Sequence, residues 1–362
     1  MFDLNQDTSF NTPANAPLDN SQCTATPVNT TPPENKDLVP GPCGSHSGIG
    51  IPARNPAFGQ IIGQERAKVR LEALVNGSQL ANAVFPSLLL LGPSGHGKTE
   101  LCKATALAMG AGHVIIRCSK DLTISDLIRN LQDLRPFDVV ILDEIHSLKT
   151  SVQVFLLAVL DGGPIQNPEA SGDPESRVLI LPPLSFLATT TRCAGIYSDL
   201  RNRFSRLELE SYSLDEMAQM AEAFCMGRAV QIQRDAAIYL AGAAFGTPRN
   251  INLFLSELVL VNPNRFAISM DDCKKFLLER GLHGDGWDAS HYKYLASLRL
   301  RSLSRSVLLS VLKVDDGTLE DMEACLLQSE LIIIEKPNGR TLTHKGHRLL
   351  AELETMFNRR LT

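Results

Sequence analysis

The chain has 362 residues, 44% hydrophobic and 21% charged, which is ordinary for a soluble protein and long enough for two or three domains with real cores. Its 35 Lys and Arg against 40 Asp and Glu leave a net charge of −5, which excludes a histone-like polycation but not DNA binding by one local face. No apolar run approaches the roughly 18 residues of a membrane span, the opening MFDLNQDTSF lacks the basic and apolar parts of a signal peptide, and the eight cysteines form no CxxC pair, so a cytoplasmic protein with reduced thiols is expected.

Residues 1–50 hold one basic residue (Lys36), five acids and seven prolines. Such a segment buries too little apolar surface to offset its ordering entropy, and a disordered tail is predicted there. From about residue 57 short apolar runs alternate with helical stretches. Strands are predicted at Leu88–Leu91, Val114–Arg117, Val139–Leu142 and Phe186–Thr189, and helices at Lys98–Met109 and Val152–Leu160. That alternation predicts an α/β domain over 51–210, a parallel sheet flanked by helices. After Ser211 the strands are expected to stop. Asp215–Gly227, Arg234–Ala244 and Arg249–Val261 read as amphipathic helices of a small all-helical domain over 211–283, with Ser213 or Asp215 capping the first. A third region, 284–362, has helices near Tyr292–Leu300, Ser304–Leu312 and Leu319–Gln328. They are followed by LIIIEKPNGRTLTH, which reads as two strands around a Pro-Asn-Gly-Arg turn and so as the wing of a winged helix.

The strongest chemical signal is GPSGHGKT at 92–99, directly after the strand SLLLL and opening a helix. Gly92, Gly95 and Gly97 let the backbone bend so that its N–H groups surround phosphates, and the helix N-terminus adds its positive dipole end. Lys98 reaches the β- and γ-phosphates, and the Thr99 hydroxyl can ligate Mg²⁺. His96, inside the loop, reads as a solvated side chain. Downstream stands VVILDEIHSL at 139–148, a buried strand with Asp143, 45 residues after Lys98, and Glu144 emerging at its end. Asp143 would hold Mg²⁺ through water, and Glu144 would orient and deprotonate the attacking water of an ATP hydrolase. His146 reads as a structural or relaying residue. Downstream, FLATTTRCAGIYSDLRNRFSRLEL carries a polar strand end and then Arg201 and Arg203, and GTPRN at 246–250 puts Arg249 at a helix start, suited to meet a phosphate from a lid.

With IIGQ (61–64), GPSGHGKT, LDEIHSL, the ATTTR…LRNRF spacing, GTPRN and GTLEDMEACLLQSELIIIEKPNGR (317–340) in order, the chain resembles the RuvB family, AAA+ motors that drive Holliday junction branch migration in bacteria. The resemblance implies an AAA+ P-loop core, a helical lid and a C-terminal winged helix, with ATP and Mg²⁺ as cofactors. It places Ile62 in the segment whose backbone contacts adenine. Thr190 or Thr191 corresponds to a first sensor and Arg249 to a second. Arg203, or else Arg201, corresponds to an arginine finger offered to a neighbouring subunit. Departures from the family pattern include Ile61 in place of a Tyr, ARNP in place of an Arg-Pro pair, and Ser94 and His96 in the loop.

The implied partners are four-way junction or duplex DNA, further copies of the chain in a hexameric ring, and a RuvA-type protein. Gly162–Leu181 occupies the position of the hairpin that docks on that last partner. Here it offers Ile165 and then a polar stretch with Glu169, Asp173 and Glu175, which predicts weak or no coupling. Between Ala289 and Val314 five basic residues and no acid occur, and the wing turn adds Lys336 and Arg340. The resemblance places Arg340 at the wing tip, where it is expected against DNA phosphate. Two other functions fit the same motifs: a clamp-loader- or initiator-like ATPase that remodels a protein–DNA complex, and a nucleotide-gated DNA-binding regulator with little turnover.

Overall fold

A computed structural model describes residues 55–166, 178–261, 266–335 and 339–358. The tail expected at 1–50, the middle of the hairpin expected within Gly162–Leu181, and Lys336 lie outside these residues. The first elements are α1 (Pro56–Gly59), whose N-cap Asn55 accepts from Ala57 N, and α2 (Glu65–Ala81). Then β1 (Leu88–Leu91), α3 (Lys98–Met109), β2 (His113–Arg117), α4 (Ile124–Leu131), β3 (Val139–Asp143), α5 (Thr150–Leu160), β4 (Ile165–Gln166), β5 (Val178–Leu179), β6 (Ser185–Thr190), α6 (Ser198–Asn202) and β7 (Ser205–Glu208) follow.

The main sheet has the order β2-β3-β6-β1-β7, all parallel. Side chains of a strand alternate between faces, so each central strand feeds two cores. Leu88, Leu90, Val139, Ile141 and Leu187 join α2 and α3 in one core. Leu89, Val140, Leu142, Phe186 and Ala188 join α4 and α5 in the other. Burial on both faces explains why these strands read as continuous apolar runs. The fifth strand, β7, escaped the sequence reading because only Leu207 of its four residues is buried. A polar edge strand carries no apolar run.

Ile165 also departs from expectation. It is buried in the core against α5, not offered outward from the hairpin that β4 and β5 form. Among the described residues of this hairpin and its exit, Val178 and Ile180 are exposed large apolar residues.

The next elements are α7 (Leu214–Met226), β8 (Gln231–Ile232), α8 (Arg234–Ala243), α9 (Pro248–Val261), β9 (Ala267–Ile268) and α10 (Met270–Arg280). Ser213 and Glu216 form a reciprocal capping box on α7, which fixes where the chain turns into the helix. Strands do not stop altogether after Ser211: β8 and β9 pair in parallel over two residues. The helix α10, with its own Ser269–Asp272 box, was not expected either. Its many charges mask the apolar stripe of Cys273, Phe276 and Leu277.

The C-terminal elements are α11 (Ala289–Ser297), α12 (Arg305–Leu312), α13 (Asp316–Gln328), β10 (Ile332–Glu335), β11 (Gly339–Leu342) and α14 (His344–Asn358). Leu303, between α11 and α12, bridges to Arg340 on β11 and adds a third strand position to the antiparallel β10–β11 hairpin. Helix, bridge, two helices and hairpin is the element order of a winged helix. Arg340 is the correction here. It lies within β11, opposite Ile334, with its guanidinium turned into the domain. There it forks onto the buried Glu323 carboxylate at 2.8 and 2.9 Å. Tyr294 Oη and Arg305 Nη1 donate to the same carboxylate at 3.1 and 3.3 Å. A buried carboxylate must be paired, and this one commits Arg340 to the interior, not to a wing tip.

Candidate nucleotide site

The loop after β1 bends through Gly95 and Gly97, both in the left-handed region at φ 77° and 83°, before α3 starts at Lys98. Gly97 caps α3 without a side chain, so the first N–H groups of the helix stay available to an anion. Gly95 also permits a close approach: a Cβ there would lie 2.8 Å from Thr247 and 3.0 Å from Arg249, at the start of α9. Two helix N-termini therefore face the same loop.

Lys98 is buried, and its Nζ donates to Gly92 O at 2.8 Å and Pro93 O at 2.9 Å. An ammonium has three donors, so one remains for a phosphate. Burial pushes the Lys98 amine down from its ordinary value, and the Glu144 and Asp143 carboxylates push it back up.

Asp143 ends β3, and its Oδ1 accepts from Thr99 Oγ1 at 2.9 Å and from Thr189 Oγ1 at 2.7 Å. Glu144 follows with φ 58°, a left-handed conformation that costs a non-glycine residue energy and recurs where function requires a side chain to be aimed. Its backbone N–H donates to Thr189 Oγ1 at 3.2 Å, which helps to hold that bend. Glu144 Oε2 is buried and, among the described residues, has no hydrogen-bond partner. His146 Nδ1 lies 3.2 Å from it but is directed at Thr190 Oγ1, 2.9 Å away. Since Thr190 gives its one hydroxyl proton to Arg192 O at 2.6 Å, it can only accept from His146, which makes Nδ1 the protonated ring nitrogen. Desolvation by burial lowers the His146 pKa against the opposing pull of the Glu144 carboxylate, which favours the neutral ring.

The threonine that reaches the acid pair is thus Thr189, not Thr190 or Thr191. Thr190 faces the other way and Thr191 is exposed beyond the strand. Strand parity held the missing signal: Thr189 shares a face with Leu187, as Asp143 does with Ile141, and that is the α3 face.

Lys98, Thr99, Asp143, Glu144 and Arg249, with Gly95 and Gly97, line one cavity of about 250 Å³. Arg249 Nη1 lies 3.3 Å from Ser94 Oγ across it. Asp143 and the Thr99 hydroxyl are the hard oxygen donors that Mg²⁺ takes, beside phosphate and water. Gly92 contributes through its carbonyl to Lys98. Ile62 is half-buried beside Gly63, against which the Tyr212 ring packs. Tyr212 Oη donates to His96 O at 3.1 Å, and its ring packs against the imidazole tilted by 37°, 5.7 Å between centroids. His96 is therefore buried beneath Tyr212, not solvated. Gln64 exchanges two hydrogen bonds with the Glu210 backbone at 2.7 and 3.0 Å and so ties the same segment to the chain leading into α7.

Arg203 and Arg201 are not among the residues lining the cavity. Arg203 forks onto Asp161 at 2.7 and 3.2 Å on an exposed surface, whereas Arg201 Nε is buried and, among the described residues, without a hydrogen-bond partner. The buried Gln153 amide fixes the approach to α6: it donates to Leu148 O and Gly195 O and accepts from Tyr197 N. Arg340 sits in the winged region with Glu323, and Lys336 falls outside the described residues.

Residues 53–209 match the family model described as the Holliday junction DNA helicase RuvB P-loop domain. The chain is 28% identical over 305 residues to the Holliday junction branch migration complex subunit RuvB of Campylobacter hominis, covering 82% of this chain and 89% of that one. With the corresponding protein of Thermosipho melanesiensis it shares 29% over 301 residues, covering 80% and 95%. Among solved structures it is similar to the Thermotoga maritima RuvB Holliday junction branch migration motor, with a TM-score of 0.69 and 25% identity over 82% of this chain and 98% of that one. A point mutant of the same Thermotoga protein gives a TM-score of 0.70 at 25% identity, covering 83% and 99%.

Proposed function

We propose, on the premise that this chain belongs to the RuvB family, that it is an ATP-driven DNA motor that moves Holliday junctions in recombination and repair, working as a ring of copies. The observation that carries this reading is the convergence of Lys98, Thr99, Asp143, Glu144 and Arg249 on one cavity; the helices and β10–β11 hairpin of the C-terminal region support it as a DNA-binding wing.

The division of labour follows the chain: 51–210 as the large ATPase domain, 211–283 as the lid and 284–362 as the DNA-binding domain. Loop amides from Gly92 to Gly97 and the α3 N-terminus bind the phosphates of ATP, and the free Lys98 donor reaches the outer ones. Thr99 and Asp143 would hold Mg²⁺, which supplies positive charge at the β- and γ-phosphate oxygens. Glu144, with one carboxylate oxygen free of hydrogen bonds, accepts the proton of the attacking water. Thr189 orients the acid pair through Asp143 Oδ1 and the Glu144 amide. From the lid, Arg249 meets the outer phosphate, so lid position becomes sensitive to what occupies the cavity. Its contacts to the loop pass through Gly95 and Ser94.

Arg203 suits a finger acting in trans better than Arg201. Its guanidinium is half exposed and lies away from its own cavity, whereas part of Arg201 is buried. A finger of this kind stabilises charge developing on the γ-phosphate of the neighbouring subunit, which requires an oligomer, here a hexamer. The polar hairpin and the inward-facing Ile165 favour weak coupling to a RuvA-type partner. Among the described residues no helix is long and apolar enough to cross a membrane. A cytoplasmic location, where the DNA is, fits the work proposed.

ATP-dependent migration of a synthetic four-way junction, with and without a RuvA-type protein, tests the reading. Movement that requires ATP supports it, and ATP hydrolysis without junction movement contradicts it.

A further inference from the structure

The winged region poses an electrostatic problem for a protein that must hold DNA. Its third helix, α13, and the residue before it expose Asp315, Asp316, Glu320 and Asp321. An acidic helix is repelled by a phosphate-lined groove. Arg340 is committed to Glu323, Arg305 to Asp316 and Glu323, and Arg299 to Glu354. Arg299 and Arg305, two of the five basic residues of the run between Ala289 and Val314, are therefore neutralised within the domain, as is Arg340, whereas Lys293, Arg301 and Lys313 are exposed.

A different basic cluster stands free. His344, Lys345, His347 and Arg348 open α14, all four are exposed, and their helical spacing puts them on one side of its first turns. Among the described residues none of them makes an ion pair. Arg348 donates only to His344 Nδ1, at 3.4 Å. The acids further along α14 do not cancel them: Glu354 is taken by Arg299, and Glu352 is not within ion-pair distance of Arg348. Glu330 is the acid of the adjoining segment, where Thr343 holds its carbonyl.

The placement is rigid. Thr343 N donates to Leu331 O at 3.0 Å and its Oγ1 to Glu330 O at 2.7 Å, while Gly346 N donates to Thr343 Oγ1 at 3.0 Å. A Cβ on Gly346 would lie 2.1 Å from Leu331 O, so only glycine lets this first turn seat against the root of β10. The basic side chains are thereby fixed beside the wing. They also stand at the positive end of a helix dipole, where cations are locally unfavourable. Local choices that oppose the fold's own preferences concentrate at functional sites.

We propose that His344, Lys345, His347 and Arg348 form the surface by which the winged domain grips the phosphate backbone of duplex DNA, a role that rests on the DNA-motor reading above. Phosphate contacts of this kind hold any sequence equally, as movement of a junction requires.

The test uses the full chain and its Lys345→Gln/Arg348→Gln variant, titrated onto a labelled four-way junction and onto a duplex of unrelated sequence at several salt concentrations. Loss of two phosphate contacts should weaken binding by about tenfold or more on both DNAs and reduce the salt slope by about two. The thermal midpoint should stay level or rise, because two cations leave a helix N-terminus. The charge-keeping Lys345→Arg/Arg348→Lys variant should restore affinity and slope. If the unaltered protein binds DNA and the Gln variant binds with the same affinity and slope, the proposed surface is wrong and the motor reading stands. A lowered midpoint in the Gln variant, unrelieved in the charge-keeping one, would also overturn the surface. If the unaltered protein fails to bind either DNA at low salt, the motor reading itself falls.

Discussion

Thr189 Oγ1 donates to Asp143 Oδ1 at 2.7 Å, the same oxygen that Thr99 Oγ1 reaches at 2.9 Å from the phosphate loop. One carboxylate oxygen thus joins β6, β3 and α3. Replacing Thr189 by Val keeps its shape and removes the hydroxyl. A hydrogen bond to a charged group is worth about 1.5–3 kcal/mol, so turnover should fall roughly tenfold to hundredfold, with nucleotide binding largely kept. Thr191→Val should leave turnover near normal, because Thr191 is exposed beyond the strand. Steady-state ATPase rates with a separate nucleotide-binding titration check this. Equal effects of the two substitutions would contradict the placement.

Arg203 is parked on Asp161 in the single chain and is not among the residues lining its own cavity. Acting in trans, it should allow complementation: Arg203→Ala subunits mixed with Glu144→Gln subunits should hydrolyse ATP faster than either alone, wherever an intact cavity meets an intact finger. Native mass spectrometry confirms mixed assemblies, and an ATPase series over mixing ratios reads the outcome. A series that never exceeds the separate variants, in proven mixed assemblies, argues against a shared site.

Glu323 sits buried beneath Arg340, Arg305 and Tyr294, so removing Arg340 leaves a carboxylate only partly paired. Arg340→Ala should lower unfolding free energy by about 3 kcal/mol, and adding Glu323→Gln should recover part of it. Denaturant melts of the three proteins measure both steps. Unchanged stability together with weaker DNA binding would instead put this arginine on the DNA.

Asp288 caps α11, accepting from the backbone of Ser290 and His291 and from the His291 ring at 2.8 Å. Burial alone would push its carboxyl up, but these hydrogen bonds and the His291 charge prevail and hold it at about 2. A carboxylate depressed in the folded state stabilises the fold above its unfolded pKa, about 4, and loses that contribution as pH falls toward 2. Stability should therefore decline across pH 4 to 2, and Asp288→Asn should flatten that part of the profile in thermal melts. An identical slope in the variant would show that other groups set the acid limit.

Much of this molecule was readable from residue order alone. The runs at Leu88–Leu91 and Val139–Leu142 announced central strands because both of their faces are buried, and the glycines of 92–97 announced the loop because its bend needs them. The edge strand at 205–208 and the helix at 270–280 were not legible, since polar exposure or charge hides their short apolar stripes. In the site, the family resemblance pointed to Thr190 and Thr191, whereas strand parity brings Thr189 to the acid pair. Arg340 illustrates the deeper limit. A basic residue beside a wing turn looks like a DNA contact until a carboxylate seventeen residues upstream, on α13, turns it inward. Pairing across elements is a property of packing, and no local pattern carries it.

The central claim is that hydrolysis at Glu144 drives movement of DNA. The most direct measurement is dissociation of a labelled synthetic four-way junction over time, with the unaltered chain and with Glu144→Gln, each with ATP and with a non-hydrolysable analogue. ATP-dependent migration is expected of the unaltered chain alone. Glu144→Gln should still bind nucleotide and junction but move the junction at least about a hundredfold more slowly. Migration at the same rate without hydrolysis, or ATP turnover by the unaltered chain with the junction left in place, would show that hydrolysis at Glu144 does not drive the movement.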